Sequence, residues 1–113
     1  MGDAELARIE RRYRELKNRL PDLGFAIAGS VTERRKTCGA VNCRCRSDPA
    51  QRHGPYFEYT RKVAGKTTGR QLTATQAEQY RIWIANRRTL DEITAGMDEL
   101  SHEAVQHLTD PPP

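Results

Sequence analysis

The feature that most constrains the fold is a segment in which Cys38, Cys43 and Cys45 fall within eight positions, followed by His53 eight positions later. Three thiols and one imidazole form one of the closed ligand sets that hold structural zinc in a tetrahedron. The spacing C-x4-C-x-C-x7-H therefore predicts that residues 38–53 fold around a single structural zinc ion.

The sequence also offers other candidates for the fourth ligand. Asp48 is the second choice for the fourth ligand, and His102 or His107 is the third. We expect Gly39 and Asn42 to supply the left-handed backbone of a tight turn. The alternatives to a metal site are a redox switch and ordinary buried or surface thiols. A disulfide framework fits poorly, because the number of cysteines is odd. A catalytic zinc is disfavoured because all four ligand positions are filled.

The length and composition favour one small domain. In 113 residues, 30% are charged and 36% hydrophobic, so the core is modest and calls for a metal or a partner chain. No apolar signal segment follows Met1, and no stretch is long enough to cross a membrane. We expect a cytoplasmic protein with no membrane association, whose thiols stay reduced.

Apolar residues recur at steps of three and four in two segments, the pattern by which helices pair along a seam. The first set is Leu6, Ile9, Tyr13, Leu16 and Leu20, ended by Pro21. The second set is Trp83, Leu90, Ile93, Met97, Leu100 and Ala104, with the polar Asn86 between its first two members. We expect the two helices to pair antiparallel within the chain, and we also expect a homodimer through these heptad helices.

The segment between the helices predicts a β-hairpin. Aromatic and β-branched residues fill positions 56–63, an Ala64-Gly65 turn follows, and residues 66–72 return. Residues 24–31 form either a loop or a buried strand. Thr73 or Thr75 caps the second helix, and Thr94 with Gly96 allows a bend in it.

The expected fold class is therefore α+β: an N-terminal helix, a zinc loop, a β-hairpin and a long C-terminal helix that pairs with the first. The expected boundaries within this one domain are 1–22 for the first helix and 23–73 for the zinc loop and hairpin. The second helix is expected over 74–109, with a tail over 110–113.

Positive charge is concentrated in the middle of the chain. The net charge is +4, but residues 29–70 carry ten basic and three acidic side chains, or +7. Residues 1–28 carry +1 and residues 71–113 carry −4. Such asymmetry indicates a surface that binds a polyanion. The ten basic residues are Arg34, Arg35, Lys36, Arg44, Arg46, Arg52, Arg61, Lys62, Lys66 and Arg70.

These ten side chains can line one surface beside the zinc loop. Arginine and lysine bond to phosphate oxygens, and a two-stranded ribbon fits the major groove of B-DNA. We therefore predict that they bind nucleic acid, specifically double-stranded DNA. The alternative is that the charges only keep an exposed sheet in solution.

The chain also resembles a family of small uncharacterised prokaryotic proteins. The resemblance lies in GSVTERRKTCGAVNCRC, RHGPYFEYTRKVAGKTTGRQL and the WIANRRTL helix, and covers about residues 29–100. This chain has Ala-Val-Asn before Cys43 where the family has Lys-Pro-Gly. The resemblance implies the same metal ligands, Cys38, Cys43, Cys45 and His53, and an association with mobile genetic elements. It implies no biochemical activity.

The predicted function is thus that of a zinc-stabilised DNA-binding accessory or regulatory protein. One alternative is a protein-interaction adaptor for a recombinase or defence protein. A small nuclease is a distant third, because the sequence has no paired-carboxylate cluster, no Ser/His/Asp arrangement and no phosphate loop before a helix. We therefore expect no enzymatic activity.

Overall fold

A computed structural model describes residues 2–108, which form two helices and a three-stranded antiparallel sheet. The elements are α1 (Gly2–Lys17), β1 (Ser30–Lys36), β2 (His53–Val63), β3 (Lys66–Leu72) and α2 (Ala74–Val105). The expected α+β class is confirmed. Residue 109 and the tail predicted over 110–113 lie outside the described residues.

The chain divides into two compact units. The helical unit consists of Met1–Ala26 and Asn86–Pro113, and the sheet unit consists of Ile27–Ala85. The α2 helix contributes residues to both, since it runs from 74 to 105. Within residues 2–108, no helix combines the length and apolar character that a bilayer crossing requires.

The helical unit pairs α1 with the second part of α2. Ile9 lies beside Leu100 and Ala104, whereas a side chain added at Gly96 would meet Leu16 at 2.8 Å. Higher numbers on α1 thus face lower numbers on α2, so the predicted antiparallel pairing is confirmed. The α1 helix is shorter than the predicted 1–22, because Pro21 favours the separate short turn at Leu20–Asp22.

Packing in the helical unit follows the predicted seam only in part. Ile9, Ile93 and Leu100 are buried, while Leu6 and Leu16 are half-buried. The Asn86 amide, expected at a seam position, donates a 2.8 Å hydrogen bond to the carbonyl oxygen of Phe25. The helix runs on without a break through Thr94 and Gly96, where the sequence allowed a bend.

The sheet has one strand more than the predicted hairpin. β2 is the central strand and pairs with both β1 and β3, so the strand order is β1-β2-β3. Val31 stands opposite Tyr59, which stands opposite Arg70. Residues 24–31 are therefore mainly loop, with β1 beginning at Ser30. The run of three cations that follows Glu33 hid this strand, because it lacks the β-branched and aromatic residues that are enriched in strands.

One face of the sheet, which we call the inner face, carries the core of the sheet unit. Tyr59 and Leu72 form a buried cluster with Ala77 and Ile84 of α2. Trp83, predicted to lie in the helix seam, instead belongs to this unit, where its carbonyl oxygen accepts a hydrogen bond from the Ile27 amide at 3.1 Å. The apolar stripe on α2 thus packs against the sheet in its first part and against α1 in its second part.

Local chemistry explains where α2 begins. The Gln76 amide donates to the Thr73 hydroxyl at 3.1 Å, and the Thr73 amide donates to the Gln76 side-chain oxygen at 2.9 Å. These reciprocal bonds satisfy two backbone donors at the helix start. Of the two threonines that the sequence allowed, Thr73 is therefore the cap.

Candidate metal centre

Strand pairing closes the loop that carries the cysteines. Lys36, the last residue of β1, stands opposite His53, the first residue of β2. Cys38 follows two positions after β1, so the start of the cysteine segment and its distant histidine lie side by side. Residues 38–53, which we call the metal loop, are thereby held at one end of the sheet.

The four predicted ligands come together at this point. The ligand atoms of Cys38, Cys43, Cys45 and His53 all lie within 4.8 Å of one another. The Sγ atoms of Cys45 and Cys38 are 3.6 Å apart, and Cys43 Sγ is 3.2 Å from His53 Nε2. Tetrahedral zinc with Zn–S and Zn–N bonds of about 2.3 and 2.0 Å needs ligand separations of roughly 3.5 to 3.8 Å. The cluster can therefore hold a metal ion, and its donor set is compatible with zinc.

Burial and backbone hydrogen bonds support the site. The Cys45 side chain is 1% exposed, and the Cys38 amide donates to its Sγ at 3.2 Å. Amide donors of this kind orient the ligands of metal centres. Cys38 and Cys43 are half-buried and His53 is exposed, so the site lies at the surface of the sheet unit with Cys45 at its base.

The turn that gathers the cysteines differs from the predicted one. Neither Gly39 nor Asn42 adopts a positive φ, so the expected left-handed turn is wrong. Instead the Cys43 amide bonds to the Ala40 carbonyl oxygen at 3.4 Å, and a short 3-10 turn spans Arg44–Arg46. This tight turn swings Cys45 back toward Cys38 without any left-handed residue.

The alternative ligands have other partners. The Asp48 carboxylate accepts a 3.0 Å hydrogen bond from the Ala50 amide and caps the 3-10 turn Pro49–Gln51. His102 lies 3.6 Å from the Asp98 carboxylate in the helical unit. Neither belongs to the ligand cluster, and neither does His107. Among the described residues, His53 is the one that completes the cluster with the three cysteines.

The thiols differ in how readily they lose their protons. Hydrogen bonds from the backbone and thiol of Cys45, then from Cys38, lower the pKa of Cys43. The Cys38 amide acts to lower the pKa of Cys45, but burial and the neighbouring thiols outweigh it and raise that pKa overall. Since metal binding requires thiolates, the proton on Cys45 is harder to displace than that on Cys43.

Gly54 allows β2 to begin beside the ligand His53. Between the pairs Lys36–His53 and Arg34–Tyr56, two residues of β2 face one residue of β1. Gly54 lies in this irregularity with a φ of 131°, and a side chain there would meet the Arg34 carbonyl oxygen at 2.8 Å. Glycine is the residue that fits both restrictions.

The ten predicted nucleic-acid-binding side chains are all exposed, but they do not share one face. Opposed residues in an antiparallel pair point to the same side. Arg61, Lys66 and Arg70 therefore lie on the inner face, in register with Thr68, Val63 and Tyr59. Arg34 and Lys62, opposite Tyr56 and Thr67, lie on the other face, which we call the outer face.

The remaining five lie in the metal loop or next to it. Arg35 and Lys36 end β1, with Lys36 Nζ 5.8 Å from the centre of the Tyr56 ring. Arg44, Arg46 and Arg52 lie in the loop itself. The Arg46 Nε atom donates a 3.1 Å hydrogen bond to the Ala40 carbonyl oxygen, and this bond braces the loop.

Ion pairs are distributed unevenly. Within residues 2–108, all five ion pairs lie in the helical unit, as in Arg12 with Glu103 at 3.7 Å and Arg87 with Asp91 at 3.0 Å. None of the ten cations lies within 4.0 Å of a carboxylate in that part of the chain. The sheet unit carries eleven basic and four acidic side chains, a formal charge of +7.

Residues 6–81 match a family described as a domain of unknown function, DUF6788. The matched range includes all four ligands and all ten cations. No curated protein and no solved structure matches the chain.

Proposed function

Since the chain belongs to the DUF6788 family, whose description gives no activity, we propose its function from the site itself: binding of double-stranded DNA by a sheet unit that a structural zinc ion stabilises. The observation that carries the proposal is the set of ten exposed cations without a carboxylate partner in the described residues, beside a four-ligand cluster.

Zinc is the metal that the ligands favour. Three thiolates with one imidazole are typical of closed structural zinc sites, which leave no position for a reacting water. A zinc ion with three thiolates adds −1, so a sheet unit of formal charge +7 stays strongly positive when loaded. The metal would therefore hold the loop cations in place without neutralising the surface.

Phosphate contacts explain the use of such a surface. Arg35, Lys36 and Arg44 lie at or beside the metal loop, where a fixed backbone reduces the entropy lost when each side chain bonds a phosphate. The Arg34 and Lys62 side chains extend the positive charge across the outer face. We propose an accessory or regulatory role for this binding, as in proteins of mobile genetic elements.

Salt-dependent binding to a DNA duplex tests the proposal. Arg35→Gln/Arg44→Gln should weaken duplex binding about tenfold and make the salt dependence shallower by about two contacts. Arg46 is left intact because it braces the loop. The matched control is Arg8→Gln/Arg14→Gln, whose side chains pair with Glu5 and Glu10 in α1; it should bind as the unaltered protein does.

An equal loss in the helix control would show that the binding surface is not localised beside the metal loop. If the unaltered protein binds no duplex at low salt, DNA binding itself is wrong.

A second candidate is the protein-interaction adaptor for a recombinase or defence protein; the predicted homodimer would use the same helical unit. The half-buried apolar side chains of the helical unit favour it, since Leu6, Leu16, Leu90 and Met97 are incompletely covered in one chain. Light scattering at high concentration tests the dimer. A mass of 12.9 kDa at every concentration would contradict it.

A further inference from the structure

The inner face of the sheet borders a groove that two of the ten cations, Arg61 and Arg70, help to line. It has a volume of about 330 Å³, near the lower end of the range for small-molecule sites. All of its lining residues belong to the sheet unit. We call it the aromatic groove; its lining residues are Ile27, Tyr59, Arg61, Thr68, Gly69, Arg70, Tyr80 and Trp83.

Three aromatic residues line the groove. Tyr59 and Tyr80 meet edge to face with ring centres 4.9 Å apart, and Tyr80 lies 6.1 Å from Trp83 at a tilt of 34°. Tyr59 is buried and its hydroxyl donates to the Ala28 carbonyl oxygen, so its ring is held in place. Tyr80 and Trp83 are half-buried and line the groove.

Two arginines of the sheet also line the groove. Arg61 and Arg70 are on adjacent strands of the inner face, and both are exposed. Within residues 2–108, no carboxylate lies within 4.0 Å of either one, and the groove itself has no acidic lining residue. Such a site offers aromatic rings next to two positive charges that can bond an anion.

From this combination we infer that the aromatic groove binds one unpaired nucleotide, with its base against Tyr80 and Trp83 and its phosphate between Arg61 and Arg70. Bases of every kind stack on aromatic side chains, and arginine supplies the backbone contact in single-strand binding. A base paired within a duplex cannot enter, because both of its faces are already stacked. The inference rests on the proposed nucleic-acid binding, and adds that the protein recognises nucleic acid that contains an unpaired base.

Trp83 provides a direct measurement, because it is the only tryptophan in the chain. A base that stacks on its indole ring should quench its fluorescence. Full-length, metal-loaded protein is titrated with a single strand of about ten nucleotides, with the same strand made abasic, and with a fully paired duplex. Fluorescence anisotropy of labelled nucleic acid measures binding in parallel. We expect quenching by the base-containing single strand only, and affinity for the abasic strand lower by about tenfold.

A pair of variants ties the effect to the groove. Arg61→Gln/Arg70→Gln should lower single-strand affinity by about tenfold, since two phosphate contacts are lost. Arg34→Gln/Lys62→Gln removes the same charge from the outer face and should retain full quenching at saturation. All four side chains are exposed, so neither variant endangers the fold.

The outcomes separate the two proposals. Binding of duplex and single strand without any change in Trp83 emission overturns the groove inference and leaves DNA binding standing. Equal quenching by the abasic strand overturns it as well, because the site would then recognise only an anion. No anisotropy change with any nucleic acid overturns both proposals.

Discussion

The two units of the chain handle charge in opposite ways. The helical unit has eight basic and eleven acidic side chains and contains all five ion pairs found in residues 2–108. The sheet unit has a formal charge of +7 without an ion pair in the same residues. Self-repulsion of this kind destabilises a compact state, so the sheet unit needs stabilisation that the helical unit does not.

The units also differ in what holds them together. The helical unit buries Ile9, Ile93 and Leu100 along a regular seam. The sheet unit adds to its apolar core a buried cysteine in a ligand cluster. The difference teaches that the chain places its excess charge where a bound metal can stabilise the backbone that carries it.

The largest expected effect comes from the base of the cluster. Cys45→Ser should lower zinc affinity by at least about a hundredfold, because one of four ligands is lost in a buried position. His53→Ala should also release zinc, whereas His102→Ala should retain it. Elemental analysis should find about one zinc per chain in the unaltered protein and in His102→Ala.

Hydrogen exchange on the Cys45→Ser variant sharpens the comparison between the units. Amides of residues 38–53 should lose protection, while those around Ile93 should keep theirs. Full zinc content in Cys45→Ser would contradict the assignment of the ligand.

A core substitution should affect the helical unit alone. Ile93→Ala should lower the free energy of unfolding by about 2–5 kcal/mol, since a fully buried side chain leaves a cavity. Ile82→Ala on the same helix is the matched control: its side chain is 55% exposed, so we expect a change within about 0.5 kcal/mol. Urea titration measures both, and metal content should not change. Loss of zinc in Ile93→Ala would show that the units are not independent.

The cap of α2 should contribute less. Thr73→Ala removes the hydroxyl that accepts from the Gln76 amide and should cost about 1 kcal/mol of stability. Thr75→Ala should be neutral or slightly stabilising, because alanine has the higher helix propensity. Equal losses in thermal unfolding would place the cap elsewhere.

The smallest expected effect lies in the turn between β2 and β3. Ala64 and Gly65 form a two-residue loop with φ values of 50° and 81°, the pattern that favours Asn-Gly. Ala64→Asn should raise stability by about 0.5 kcal/mol, whereas Ala64→Val should lower it by about 1 kcal/mol or more. Denaturant midpoints of the two variants should therefore move in opposite directions. A shift in the same direction would show that the backbone angle is not what limits this turn.

Much of the fold and of the candidate site could be predicted from the sequence alone. Ligand type and spacing identified Cys38, Cys43, Cys45 and His53, because thiol and imidazole chemistry does not depend on the surrounding fold. The apolar steps of three and four predicted both helices and their antiparallel pairing, and Ala64-Gly65 predicted the hairpin. These signals are local in sequence, so they can be interpreted without knowledge of distant contacts.

Only the tertiary structure decided the rest. The β1 strand forms by pairing with β2, which is about thirty positions away in the sequence, as in Ser30 with Thr60. The charged end of β1 concealed the strand from sequence analysis. Sheet register placed Arg61 and Arg70 on the inner face and Arg34 on the outer face, since the position of a residue along a paired strand decides which face its side chain is on. Trp83 looked like a seam residue because helical spacing does not reveal which neighbour each turn of a long helix meets.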